Sequence, residues 1–341
     1  LVEQVARKNG KISRDLSIND YSDFKKVQSF AIELIDFCLS KAVNLKPEWL
    51  HYHKALLLDK LGKNNEAKDL LISFVQQKRS DYWTWHALAK VIESTEPKQS
   101  LSLCAKACLT CKDENFGVNV FEDLGRLASQ NNELQVAQWS VKQAFNIRNQ
   151  NGWKTPQSLR DMLNSEWYNH SGFLSKPEDR LFDLATEADN IIWSNCPKYQ
   201  ANYLGDFLNQ TSKRILKFVM SVKSEAKEII SPERGMLKNL TLDIGEPVTI
   251  TVDESSDRST VVIVKRRESG NKFDILPTIQ GRFSLKQGGF GFVDNVFVPP
   301  NLASQLEDGQ LVKLSVVSRF DKRKNKQSLS AVTIQKNDYD I

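Results

Sequence analysis

The sequence has no apolar run approaching the roughly 18 residues a membrane-spanning helix requires. It also lacks a glycine-rich phosphate loop, a nucleophile elbow, and the clustered carboxylates that hold catalytic magnesium. Histidine is scarce: His51, His53, His86 and His170 are the only four, and none has a Cys or carboxylate neighbour at metal-ligand spacing. These absences predict a chain without a catalytic site, metal or cofactor of its own and without a membrane span. Five cysteines are too few and of the wrong parity for a disulfide framework, so a reducing, cytoplasmic setting is expected. A net charge of +5 is too small to identify a polyanionic partner. The sequence begins at Leu1 rather than Met, which reads as an upstream segment removed or left out.

With 341 residues, two domains are expected, and composition divides them. All seven tryptophans lie between Trp49 and Trp193, whereas more than half of the glycines fall from Gly235 onward amid Val, Ile and Thr alternation. The first part therefore reads as helices and the last as short strands, with the change near residue 212.

A period of about 34 residues runs through the first part. One copy carries Phe121, Leu124-Gly125, Ala137 and Ala144, and a second Trp85, Leu88-Ala89, Ser100 and Ala107. A third carries Ala55, Gly62, Ala67 and Phe74, and half of a fourth ends at Ala42 and Pro47. This pattern resembles the tetratricopeptide repeat, with Lys54 standing where that family has Leu. The resemblance implies an α-solenoid over 1–154 that binds a protein partner. Its inner surface would hold Trp49, Tyr52, Trp83, His86, Lys90 and Arg126, with Glu122 beside them, unless these side chains are spent on neighbouring helices. Residues 155–211 read as further helices capping the array, on the spacing Leu181, Leu184, Ala188 and Ile191.

Cys104, Cys108 and Cys111 have the C-x3-C-x2-C spacing of radical iron-sulfur enzymes, but the same spacing is one buried face of a repeat helix. The helical reading is preferred, because the alternating strands and helices of those enzymes are missing.

In the last part, Glu228-Ile-Ile-Ser-Pro232, Asp243–Ile250 and Ser259–Val264 are echoed in the same order by Asn295–Pro300, Asp308–Leu314 and Leu329–Ile334. Two consecutive small barrels are predicted, 212–270 and 273–341, the first degenerate. The segment Gly281–Pro300, with its Gly-Phe-Gly-Phe-Val and Val-Phe-Val runs, resembles a cold-shock domain, an OB-fold barrel that binds single strands. Its Phe-Val-Pro-Pro continuation and the Asp308-Gly309 turn look closer to the cold-shock modules of bacterial exoribonucleases. Leu285, Gly288 and Pro299 depart from that pattern, at positions where the family has a tryptophan, a lysine and a histidine, each of which contacts nucleic acid.

Strand alternation leads to the same place unaided. If Gly291, Val293, Val296 and Val298 face a barrel core, then Phe290, Phe292 and Phe297 lie together outside, and exposed clustered rings mark a binding surface. Planar rings stack on any base. The alternative is that the rings point inward or lie under the helical domain. Arg282, Lys286, Arg319, Lys322, Arg323, Lys324 and Lys326 are the candidate phosphate contacts, with Lys265-Arg266-Arg267 as a second basic cluster. The first barrel offers only Phe218, and Ile229 is expected where Phe297 would sit, which makes it a spacer. Together these readings describe a non-catalytic adaptor that binds single-stranded RNA or DNA, RNA favoured, and recruits a protein. The alternatives are an accessory subunit of a nuclease or defence complex whose catalytic chain is separate, or a scaffold whose barrel binds nothing.

Overall fold

Small side chains set how closely the first helices cross. In a computed structural model of the chain, which describes residues 21–41, 47–170, 176–222, 225–233, 237, 240–255, 258–321 and 325–335, an added Cβ on Gly125 would lie 2.6 Å from Val141 Cγ2. Ala55, Ala67, Ala89, Ala137 and Ala144 are likewise buried at helix contacts, and Ser100 donates from Oγ to the Ala89 carbonyl at 2.8 Å. Three antiparallel hairpins result: α2 (Pro47–Lys60) with α3 (Asn64–Lys78), α4 (Tyr82–Ile92) with α5 (Pro97–Thr110), and α6 (Val118–Gln130) with α7 (Leu134–Gln150). Ahead of them runs α1 (Tyr21–Lys41), joined to α2 by a Lys54–Asp36 ion pair at 2.5 Å.

The turns closing α2 and α6 have the same construction. Gly62 (φ 76°) and Asn132 (φ 62°) take the left-handed conformation, and the next residue in each case, Lys63 or Glu133, donates its N–H five residues back to Leu58 or Ala128 at 2.9 Å. This is the Schellman arrangement, which satisfies helix-end carbonyls. Pro47 opens α2 rather than ending a helix as expected, while Ala42 lies outside the described residues.

Two short helices, α8 (Gln157–Leu163) and α9 (Glu166–His170), and the longer α10 (Pro177–Ile192) complete this unit. Instead of capping the end of the array, α10 packs lengthwise on α5 and touches α3 and α7, the second helix of each hairpin. Its Leu181, Ala185, Ala188 and Ile192 are buried, Lys106 reaches the buried Asp189 at 2.6 Å, and Gln76 donates to the Ile192 carbonyl at 2.6 Å.

The helical unit ends at Ser194, 17 residues before the expected boundary at 211. The difference is strand β1 (Lys198–Leu208), whose Tyr199, Ala201 and Tyr203 alternate into a core. After it come β2 (Arg214–Val222), β3 (Glu225–Pro232), β4 (Pro247–Asp253) and β5 (Thr260–Arg266). The second set is β6 (Thr278–Leu285), β7 (Gly291–Val293), β8 (Val296–Val298), a turn of helix α11 (Pro300–Ala303), β9 (Leu311–Asp321) and β10 (Lys326–Gln335).

Hydrogen-bonded neighbours run β6–β7–β8–β10–β9 and back to β6, which closes a five-stranded barrel. The first set repeats the order as β3–β2–β1–β4–β5, and Ser231 of β3 bonds the Val261 carbonyl of β5 at 3.1 Å across the remaining gap. Each barrel has its own core, Phe218 with Leu216, Val248 and Ile250 in the first, and Phe283 with Val293, Val298 and Leu314 in the second.

The two sets share one sheet, because β9 outlasts β6 and pairs Ser318 with Lys227 of β3. Val219, Leu276 and Val317 are buried at this seam. The linker between the sets is fastened by a small network: Arg267 holds both oxygens of Asp274 at 2.7 and 2.9 Å, and the fully buried Asn202 donates to Asp274 at 2.9 Å and to the Gly245 carbonyl at 3.1 Å. Burial alone would raise the Asp274 carboxyl, but the hydrogen bonds from Arg267 and Asn202 outweigh it and hold the group below the usual carboxylate range.

Asp274→Asn is therefore expected to destabilise the second unit by about 1 to 3 kcal/mol at neutral pH. Because the folded carboxyl titrates below its unfolded value, its contribution is complete above about pH 4 and vanishes as the pH falls through the lowered folded value. Thermal unfolding of parent and variant across pH measures this. Melting curves that stay apart by the same margin into acid would overturn the assignment.

Candidate nucleic-acid interface

Phe283 on β6 is buried inside the second barrel, its ring passing so close to β7 that a Cβ on Gly291 would lie 2.1 Å from Phe283 Cε2. Val293, Val296 and Val298 fill the rest of that interior at 0 % exposure. The alternate positions face out: Phe292 is paired directly with Phe297 across β7 and β8, and both are half-buried. Phe290 arrives beside them through a turn in which Lys286 donates to the Phe290 carbonyl at 2.8 Å, with Gly288 (φ 101°) and Gly289 (φ 76°) reversing the chain. The three rings form a triangle with centroids 5.7 to 5.9 Å apart. Among the residues that break the cold-shock pattern, Leu285 is exposed at the end of β6 and Pro299 caps α11.

A groove runs from this triangle along the barrel, lined by Arg282, Ser284, Lys286, Phe292, Lys326 and Gln327. Arg282, Lys286 and Lys326 are exposed cations, Arg282 steadied by the Gly309 carbonyl at 3.0 Å and Lys286 by Ser284 Oγ at 3.0 Å. Ser318, Gln327 and Leu329 line the groove without having been singled out by sequence. Gln327 and Leu329 reach it because β10 crosses to pair with β8, Ser330 opposite Phe297, and Ser318 because β9 sets it opposite Leu329, long-range pairings that no local pattern announces.

Other predicted contacts are placed differently. Arg319 is held by Glu228 of β3 at 2.7 Å, so its charge is already engaged by the neighbouring barrel. Lys322, Arg323 and Lys324 lie outside the described residues. In the second basic cluster Arg267 belongs to Asp274, and Arg266 to Glu246 at 2.6 Å and the Thr241 carbonyl at 2.7 Å. The residue in register with Phe297 on the first barrel is Ile230, at 52 % exposure, not Ile229, which is buried in the core with Phe218.

In the helical unit, Trp49 stacks on Trp83 at 5.5 Å and Tyr52 on Phe74 at 4.9 Å, so the aromatic candidates form one half-buried cluster. The polar candidates meet in a network between α4 and α6. His86 bonds Asp123 at 2.8 Å, Arg126 grips Glu93 and also reaches Asp123 at 3.0 Å, and Lys90 stands 3.7 Å from Asp123. Burial would raise the Asp123 carboxyl, yet bonds from His86 and Arg126 with the nearby Lys90 bring it down to about 2. Glu122 pairs with Arg148 on α7. These charges tie hairpins to one another, and of the six predicted groove residues only Lys90 is exposed.

Cys104 and Cys108 are buried on α5, while Cys111 lies one residue past its end. Burial pushes the Cys108 thiol up to about 12, which disfavours the thiolate a metal would need. Among the described residues no three His, Cys, Asp or Glu side chains are placed to hold a metal ion.

Two family models match. Residues 48–188 match a domain of unknown function, DUF7017, and residues 278–334 match S1/CSD-like domain 2 of the TOTE conflict systems. A search of curated proteins found no match. Among solved structures, MamA aligns at 15 % identity over 51 % of this chain and 96 % of its own, with a TM-score of 0.35. A Podosopora anserina putative kinesin light chain with nearly identical TPR-like repeats aligns at 12 % identity over 57 % of this chain and 92 % of its own, with a TM-score of 0.36. The chain combines an array of antiparallel helical hairpins with a closed, S1/CSD-like five-stranded barrel.

Arg319 follows Ser318, which lines the groove, so if a polyanion carried there extends past Ser318, freeing Arg319 adds a cation to its path. Glu228→Gln is expected to steepen the log–log salt dependence of nucleic-acid binding by about one, the increment for one further phosphate contact. A slope unchanged from the parent would mean that Arg319 does not face the ligand.

Proposed function

We propose that the second barrel binds single-stranded nucleic acid, RNA in preference to DNA, and that the chain is a non-catalytic cytoplasmic adaptor whose helical array recruits a protein. The observation that carries the reading is the placement of Phe290, Phe292 and Phe297 outside a core already filled by Phe283 and three valines, next to exposed Arg282, Lys286 and Lys326. Three clustered rings on a surface are costly in water unless a ligand covers them. Bases are suited to that role, since stacking contributes about 1 to 3 kcal/mol per base and the neighbouring cations neutralise phosphates.

A second reading shares the nucleic-acid site and differs in the partner. The barrel's family model is drawn from conflict systems, which favours an accessory subunit of a defence complex with its catalytic chain elsewhere. Affinity purification of the tagged chain separates the two: one stoichiometric enzyme supports the complex, and ribosomes, messages or decay factors support the adaptor.

Replacing Phe290, Phe292 or Phe297 singly with Ala should weaken binding of oligouridine about five- to 150-fold while leaving thermal stability nearly unchanged. Val293→Ala and Val298→Ala should do the reverse and lower stability first, as truncations in a filled core do. Titrations with oligouridine and oligodeoxythymidine in parallel, alongside melting curves of the same variants, measure both. Phe variants that fold normally and bind as well as the parent would refute the stacking role.

A further inference from the structure

The groove beside Phe292 does not stop at the edge of the second barrel. A second groove lies over the β3–β9 seam, lined by Lys227, Glu228, Ile230, Pro277 and Arg319, and it shares Ser318, Gln327 and Leu329 with the first. The two are one trough that crosses from one barrel to the other where Ser318 pairs with Lys227. Val219, Leu276 and Val317, buried beneath the seam, fix the two faces in register.

At its far end the trough meets a surface built on the same plan as the phenylalanine triangle. The pairing of β2 with β3 sets Lys217 opposite Ile230, just as β7 with β8 sets Phe292 opposite Phe297. Neighbouring β1 places Phe207 opposite Ile215, on the same outward face as Lys217, since Leu216 and Phe218 on either side of Lys217 point into the core. Phe207 is 40 % exposed, and the Lys217 ammonium sits 5.0 Å from the centre of its ring. A ring and an isoleucine are thus exposed on this face with a half-buried cation between them, outside the core of the first barrel.

We propose that a single strand seated on Phe290, Phe292 and Phe297 continues along this trough onto the first barrel, where Phe207 stacks a further base and Lys217 meets a phosphate. The inference rests on the nucleic-acid reading of the second barrel and extends its footprint. The floor between the two ends is electrically balanced. Glu228 is paired with Arg319 at 2.7 Å and Glu225 with Lys227 at 3.7 Å, so the strand meets no net negative charge on the way. The first barrel then acts as a second binding face with weaker, mostly aliphatic contacts rather than as a spacer.

The test compares oligouridines of about 5 and about 20 nucleotides, lengths at the lower end of a single OB-fold site and beyond its upper end. Phe207→Ala and Lys217→Gln should each weaken binding of the long oligomer about three- to tenfold and leave the short one unchanged, so that the short oligomer also reports intact folding of the second barrel. Phe292→Ala should weaken both. Long-oligomer affinity unchanged in both first-barrel variants would overturn the proposal, and so would an equal loss at both lengths. If the parent binds neither oligomer, the nucleic-acid reading fails first and this extension falls with it.

Discussion

Gly291 can carry no side chain, because the Phe283 ring passes through the place its Cβ would take. That one contact orders the second barrel. With Phe283 inside and Val293, Val296 and Val298 closing the remaining volume, no room is left for another aromatic ring in the interior, so Phe290, Phe292 and Phe297 are held outside. The first barrel solves the same problem in the opposite way. Tyr203 and Phe218 go inward, their centroids 5.5 Å apart, and the positions corresponding to the phenylalanine pair carry Lys217 and Ile230. Two barrels with one strand order thus differ at the paired outward positions of their second and third strands, which carry two phenylalanines in one and a lysine and an isoleucine in the other.

Charge is divided as clearly between structure and surface. The arginines at junctions are consumed by carboxylates: Arg126 by Glu93, Arg180 by Glu133, Arg267 by Asp274 and Arg319 by Glu228. A planar guanidinium matches a carboxylate at two points and so fixes the angle between the elements it joins. The exposed cations near the phenylalanines, Lys286 and Lys326 together with Arg282, have no carboxylate partner among the described ion pairs, and lysine's hydrated point charge suits a mobile phosphate backbone. Counting basic residues along the sequence therefore overstates the free positive charge on the surface, because it cannot tell the two uses apart.

What was legible in the sequence was local. Two-residue alternation placed Phe292 and Phe297 opposite the valines, the repeating Leu-Gly and alanine positions gave the hairpins, and the echo of Glu228–Pro232 in Asn295–Pro300 matched β3 to β8. What escaped was set by contacts distant in sequence. Strand β1 was hidden because Tyr199, Ala201 and Tyr203 follow directly on a helix, and their alternation gains meaning only from β2 and β4 on either side. The partner of Arg319 lies 91 residues away, and α10 finds its seat on a helix that ended 67 residues before it begins. Ile230 was within reach, since the same echo puts it, and not Ile229, level with Phe297; reading the pairing one position further along β3 would have found it.

The strand shared between the barrels has a consequence during synthesis. β3 is complete almost 80 residues before β9 leaves the ribosome, so the stretch around Lys227 spends that interval as an open edge with unpaired backbone groups. Such an edge invites pairing with another nascent chain. Glu225, Lys227 and Glu228, three charges within four residues, make that edge a poor template for a stranger while leaving it able to accept Ser318 when its own chain delivers it. The charged border that looks, in the finished molecule, like the neutral floor of a groove is in the growing one a guard against aggregation.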